Sequence, residues 1–317
     1  MRVLVTGATG FVGSHLVTAL ASRGHQVVAV TRRDVECPGA HEVRVAGDIG
    51  PSTDWSGLLG DVDVVVHLAA RVHMMNETSA DPLAAFREVS AAGTVHVAEE
   101  VARQGVRRLV FMSSIKVHGG GRDGKPYSSL DAPAPADPYG VSKWEAEQAL
   151  GKIARETGME CVALRPTVIY GPGVRANVDR LAHLVASGIP LPFGRVHNRR
   201  TMLSVGNLVK WVDRAVSDSA KPTGPVLIGD PRPVSTKELT VQIASGLGVR
   251  ARMIPVPVGI MMLAGRVVGK QAMLQRLLGD LEVTPTVEAY PGIESQLVDP
   301  AAELESYGAS LREPEAH

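Results

Sequence analysis

Between a short apolar run and the first amphipathic stretch, the chain reads Thr6-Gly7-Ala8-Thr9-Gly10-Phe11-Val12-Gly13. Few turns narrow the choice of fold so far. Gly7 permits a sharp reversal out of a strand over Arg2–Thr6, and Gly10 lets a bulky anion approach the backbone. Gly13 lets a helix over Phe11–Ser22 sit close on that strand. Phe11, Val12 and Gly13 then aim helical amides, and the positive end of the helix dipole, at a pyrophosphate. A glycine turn placed directly between strand and helix predicts a dinucleotide site.

The following segments keep the same rhythm. Strands are predicted over Gln26–Val30, Val43–Ala46, Asp63–Leu68, Arg108–Met112 and Cys161–Arg165, with long helical patterns over Pro82–Arg103 and Tyr139–Glu156. Alternation of this kind predicts an α/β fold: a doubly wound parallel sheet of the Rossmann type, covered by helices on both faces. After Pro166 proline and glycine become frequent and the rhythm breaks. The expected division is a dinucleotide-binding domain over 1–169, with a return segment near 203–228. A smaller C-terminal substrate lobe takes 170–202 and 229–317. The last few residues are polar and expected to fray.

Lysine plus arginine and aspartate plus glutamate both total 33, so the net charge is zero and no nucleic-acid partner is indicated. Two cysteines, Cys37 and Cys161, form no disulfide framework and no metal-ligand spacing, so no metal is expected and a reducing cytoplasmic setting is. The N-terminal apolar run is too short for a signal peptide. The most membrane-like stretch, Val256–Val268, is broken by Pro257 and Arg266 and falls short of the ~20 residues a span needs, so a buried helix and no membrane contact are expected there.

Open doubly wound sheets bind ligands at the carboxyl ends of their strands. The second strand ends Val30-Thr31-Arg32-Arg33, with no acid to hold a ribose hydroxyl and two guanidiniums suited to a 2′-phosphate. NADP(H) is therefore favoured, with NAD(H) the alternative. Asp48 and Ile49 follow the third strand, Leu68, Ala69 and Ala70 end the fourth, and Pro166 follows the sixth; all are expected cofactor contacts. Asp48 is placed to reach the adenine, although a bare aspartate also suits a turn or cap.

Tyr139 and Lys143 are four residues apart on one helix face. A tyrosine is a poor base near neutrality, but an adjacent ammonium and a nicotinamide cation favour its phenolate. Tyr139 then exchanges a proton with a hydroxyl or ketone while Lys143 also holds the cofactor ribose. Ser113-Ser114 closes the fifth strand, where a hydroxyl can hold the reacting oxygen.

In this order Thr6–Gly13, Asp63–Ala70, Ser113–Gly119, Tyr139–Lys143 and Arg165–Gly173 resemble the extended short-chain dehydrogenase/reductases, the NAD-dependent epimerase/dehydratase group. The resemblance runs over nearly the whole chain. It implies that Ser114, Tyr139 and Lys143 are catalytic, Ser114 being the serine five before Gly119. Pro190–Gly194, Asn198–Arg200 and Asn207-Leu208 are similar to a narrower set, bacterial enzymes of UDP-N-acetylated 6-deoxy sugars for surface polysaccharide. That likeness implies diphosphate contacts from Asn177 and Arg200, and Phe193 beside the uracil; core packing is the other reading of Phe193. It also implies a homodimer built on the two long helices. The chain departs from the pattern at Thr31, where NAD-using members carry an acid, at His118 in place of a tyrosine, and at Ser90 in place of an asparagine.

The leading expectation is NADPH-dependent reduction of a UDP-4-keto-6-deoxy-N-acetylhexosamine at C4. The alternative is 4-epimerisation of a UDP-hexose or UDP-N-acetylhexosamine by the same residues. A non-catalytic dinucleotide sensor is the remote third, since fold alone does not establish catalysis.

Overall fold

The computed structural model describes all residues except 71–80, 122–123, 176, 219–221, 223 and 313–317. The expected fraying of the chain end falls on 313–317, outside the described residues. Among the described residues the strands are β1 (Arg2–Thr6), β2 (Gln26–Thr31), β3 (Glu42–Val45), β4 (Val64–His67), β5 (Arg108–Met112), β6 (Glu160–Pro166), β7 (Val168–Tyr170), β8 (Met202–Ser204) and β9 (Val226–Ile228). The helices are α1 (Phe11–Ser22), α2 (Pro82–Phe86), α3 (Gly93–Arg103), α4 (Pro138–Thr157), α5 (Asn177–Ala186), α6 (Val205–Ser217), α7 (Thr236–Leu247), α8 (Val258–Val267), α9 (Gln271–Leu278) and α10 (Pro300–Ser310).

Seven strands form one parallel sheet in the order β3-β2-β1-β4-β5-β6-β9. The expected doubly wound α/β fold is therefore present. Strand order reverses between β1 and β4, which opens the crevice where such sheets take ligands. β4 reads Val-Val-Val-His and is wholly buried, as a strand covered on both faces must be. The helical pattern over 82–103 is broken into α2, a wider π-turn at Arg87–Ala92, and α3.

One face of the sheet packs α1 and α6 through Leu16, Leu20, Trp211 and Val212. The other packs Val97, Val101, Ala146 and Leu150 of α3 and α4 against Leu109 and Phe111. A separate core joins Val178, Leu181, Phe193, Ile243, Met261 and Tyr307. The chain beyond β9 serves both: Tyr290 and Ile293 lie in the α1–α6 core, with Tyr290 edge-on to Trp211 at 6.3 Å. The small parallel pair β7-β8 adjoins the buried Asp230 carboxylate, which accepts from Tyr170 (3.0 Å), the Ser204 amide (3.0 Å) and Asn207 (2.8 Å). Burial raises the Asp230 carboxyl to about 6.

Helix α8 departs from expectation. Its inner side is buried at Met261 and Gly265, but Ile260, Leu263 and Val267 face outward. Hydropathy measures composition, not coverage, and nothing among the described residues covers that side. No described helix is long and apolar enough to cross a membrane.

Candidate active site

The glycine turn is a cradle shaped by missing side chains. Gly7 sits at φ +67°, and a Cβ there would lie 3.0 Å from the Ala69 amide nitrogen and 3.2 Å from the Leu68 carbonyl carbon. A Cβ on Gly13 would lie 2.1 Å from the Gly7 carbonyl oxygen, a clash that only backbone movement relieves. The Gly10 amide donates to the Gly7 carbonyl at 3.0 Å, and Gly10 caps α1 without a side chain. The first-turn amides of Phe11, Val12 and Gly13 therefore have no acceptor inside the helix, which fits a pyrophosphate.

A hydrogen-bonded chain fixes the Leu68-Ala69 backbone opposite this turn. Thr94 donates to the Ser90 carbonyl (2.9 Å), so His67 Nε2 donates to Thr94 Oγ1 at 3.1 Å. His67 Nδ1 then accepts from Thr6 (2.8 Å), whose oxygen accepts from the Ala69 amide (3.2 Å). The assignment requires a neutral His67; burial first, then the Lys143 charge, hold it down to about 3. Ala70 follows on the same rim, partly exposed.

At the edge of β2, Thr31 is buried and donates to the Arg33 carbonyl at 2.7 Å. Arg32 and Asp48 approach to 3.6 Å with side chains 81% and 90% exposed, a pair that contributes little. Ile49 lies half-buried beside Asp48, whose carbonyl accepts from Thr53.

The catalytic candidates converge across two elements. Asp137 caps α4 by accepting the Gly140 amide at 2.8 Å, and Pro138 starts the helix, so Tyr139 stands in its first turn. Ser114, just past β5, stands near the Tyr139 phenol and acts to favour its ionised form. Lys143, one turn on, is buried; its Nζ donates to the Met112 carbonyl at 2.8 Å and lies 5.8 Å from the Tyr139 ring centroid. Burial, then the Asp137 charge, push Tyr139 up to about 12, with Ser114 opposing. Burial draws Lys143 down to about 7, opposed by Glu147. Tyr139 as a whole residue is only partly buried. A cation brought beside it favours the phenolate, which is what a proton shuttle here requires.

Behind this set lies a buried network. Glu147, one turn beyond Lys143, accepts from Ser113 and from Arg165 Nε (2.9 Å) and Nη2 (2.5 Å). Arg165 also donates to His118 Nε2 at 2.8 Å and stacks near Trp144. His118, given no role from sequence, is thus the partner of the Arg165 Nη1 group. Pro166 closes β6, and the next residue, Thr167, is buried with a hydroxyl that finds no partner among the described residues. Buried polar groups are rarely left so. An orphaned hydroxyl at this strand end is another mark of a polar ligand site. The Ser90 hydroxyl, in the π-turn, is orphaned in the same way.

The substrate candidates are more scattered. Asn177 is exposed at the start of α5. Phe193 is buried in the lobe core with Val178 and Met261. Arg200 is half-buried and donates to the Gly279 carbonyl at 2.8 Å; burial lowers its pKa. Asn198 and Arg199 are occupied structurally, Asn198 by the Leu277 and Gly279 carbonyls and Arg199 by Glu282 at 2.7 Å. No group of metal-binding side chains occurs among the described residues. A groove of about 630 Å³ beside Trp144, Gln148 and Pro225 runs along α4 and is lined in part by Glu147 and Arg165, but not by Ser114, Tyr139 or Lys143.

Residues 3–229 match the NAD dependent epimerase/dehydratase family. A UDP-glucose 4-epimerase of Vibrio cholerae is 41% identical over 283 residues, 89% of this chain and 86% of that protein. An N-acetyl-alpha-D-glucosaminyl-diphospho-ditrans,octacis-undecaprenol 4-epimerase of Escherichia coli O157:H7 is 28% identical, over 83% of this chain and 78% of that one. Among solved structures, MoeE5 in complex with UDP-glucuronic acid and NAD superposes with a TM-score of 0.76 at 27% identity, over 98% of this chain and 99% of that chain.

Proposed function

The chain belongs to the NAD dependent epimerase/dehydratase family, and from that premise we propose that it is a UDP-sugar 4-epimerase working with a retained NAD(H). The carrying observation is the Ser114–Tyr139–Lys143 set beside the Gly7–Gly13 cradle. The 41% identity to a 4-epimerase weights the reading toward epimerisation, ahead of the keto-sugar reduction that the sequence pattern puts first.

The dinucleotide would lie on the glycine cradle, with Leu68, Ala69, Ala70, Lys143, Pro166 and Thr167 about it. Bound nicotinamide supplies the hydride acceptor, and then the donor, at C4. Tyr139 takes the proton of the sugar 4-hydroxyl and later returns it. Ser114 holds the same oxygen, and Lys143 keeps positive charge beside the phenol. The sugar then presents its other face, so C4 inverts without net oxidation. Asn177 and Arg200 are assigned to the diphosphate and Phe193 to the uracil. NAD(H) is preferred to NADP(H) because the matched family is described as NAD dependent and the solved relative MoeE5 is in complex with NAD. Reduction of a 4-keto sugar uses the same residues, and Arg32-Arg33 is its remaining support. A cytoplasmic homodimer resting on α3 and α4 is part of the same reading, checked by sedimentation.

The test is conversion of UDP-glucose, and separately of UDP-N-acetylglucosamine, without added dinucleotide, followed by proton NMR. Inversion at C4 in both directions, and a drop of about a thousandfold in Tyr139→Phe, is expected. Inertness toward both sugars, with NADPH consumed by a UDP-4-keto-6-deoxy sugar, returns the reductase.

A further inference from the structure

Helix α8 is apolar on two sides. Val258, Met261 and Met262 turn inward to the lobe core. Ile260, Leu263 and Val267 recur at helical spacing on the opposite side, 59%, 65% and 80% exposed. Val268 and Met273, just beyond, extend the exposed patch. A water-soluble surface seldom carries such a patch without a partner for it.

The charge of the chain segment that carries it is one-sided. From Leu239 to Gly279 the chain has no aspartate or glutamate but carries Arg250, Arg252, Arg266, Lys270 and Arg276, although the whole protein is neutral. None of these five forms an ion pair among the described residues, and all five are exposed. Elsewhere Arg2, Arg44, Arg103, Arg199 and Arg232 are all paired with acids. Cations left unneutralised on the segment that carries an apolar helix face call for an anionic and apolar occupant. A second copy meeting the same face would bring like charge to like charge.

We propose that the outer face of α8 lies on an anionic lipid bilayer, with Ile260, Leu263 and Val267 in the interface and Arg266 and Lys270, on and just after the helix, on lipid headgroups. α8 has ten residues, about 15 Å by helical rise, so it lies in the plane and does not span. The inner face of α8 packs on the core that holds Phe193, and the Gly194 backbone runs against Ile254 and Pro255. Docking thus holds this core of the lobe at the bilayer. This surface is independent of the reaction assigned to the cleft.

The test is co-sedimentation of the full chain with vesicles of phosphatidylcholine alone and of an equimolar mixture with phosphatidylglycerol. Binding should favour the anionic vesicles by about tenfold or more and weaken as salt rises toward about 1 M. Leu263→Asp with Val267→Asp should remove it about tenfold while conversion of soluble UDP-sugar and the melting temperature stay unchanged. Arg266→Glu with Lys270→Glu tests the charges without touching the apolar face, and should abolish the lipid preference. Equal binding to both vesicles, or none to either, overturns the proposal. So does a dimer that Leu263→Asp dissociates, since a second copy then covers the face.

Discussion

The carboxyl edge of the sheet and the region around Asn177, Phe193 and Arg200 are built on different terms. At the sheet edge each functional group has a close neighbour: Tyr139 has Ser114, Lys143 has the Met112 carbonyl, and Glu147 has Arg165. In the lobe the candidates stand apart: Asn177 is exposed, Phe193 is buried among aliphatics, and Arg200 holds one carbonyl. Chemistry tolerates little displacement of a proton donor, so the catalytic edge is over-determined. Under the proposed function these residues bind a sugar nucleotide, a task that tolerates more variation than proton transfer does.

Changes at the catalytic edge should therefore cost most. Beyond the loss expected for Tyr139→Phe, Arg165→Met leaves the Glu147 carboxylate buried without its ion pair. It should lower unfolding free energy by about 3–5 kcal/mol in denaturant titration. A loss under about 1 kcal/mol would mean that the network is not rigid, and the contrast with the lobe would weaken. Asp230 gives a pH signature at the junction of the two regions. Its folded carboxyl is raised to about 6 from an ordinary 3.8, so its contribution to stability is full below about pH 4. That contribution is lost as pH rises through about 6. Asp230→Asn should flatten this part of the melting-temperature profile; an unchanged slope would assign the dependence to other groups.

Phe193→Leu separates the two readings of the lobe. As core packing alone it should cost about 1 kcal/mol of stability and leave KM unchanged. A KM raised about tenfold without that loss would bring the ring into the cleft. Arg32→Ala should be the smallest effect, less than about twofold in dinucleotide retention, because its pair with Asp48 is open to solvent. A larger loss would show the guanidinium gripping phosphate and revive NADP(H).

The same contrast governs what was legible beforehand. The glycine turn, β1, β5 and the Tyr139–Lys143 spacing are local patterns, each readable within a few residues. Buried parallel strands such as β4 stand out as unbroken apolar runs. His67, Thr94 and Asp230 were not legible, because their partners lie 23 to 61 residues away and only the folded sheet brings them together. Glu147 was one turn from a recognised residue, and its regular spacing after Lys143 was the available signal. The apolar composition of α8 predicts burial but says nothing about which side finds a partner.

The placement of Tyr290 and Ile293 has a consequence for how the chain is made. The last sheet strand, β9, is complete at Ile228, yet the core beneath the sheet closes only with Ile293, some sixty-five residues later. At a synthesis rate of about 5–20 residues per second that is an interval of roughly 3–13 s. Through it Trp211 and its neighbours lack their final cover, so a growing chain on the ribosome carries an unfinished apolar surface while the lobe is still being threaded.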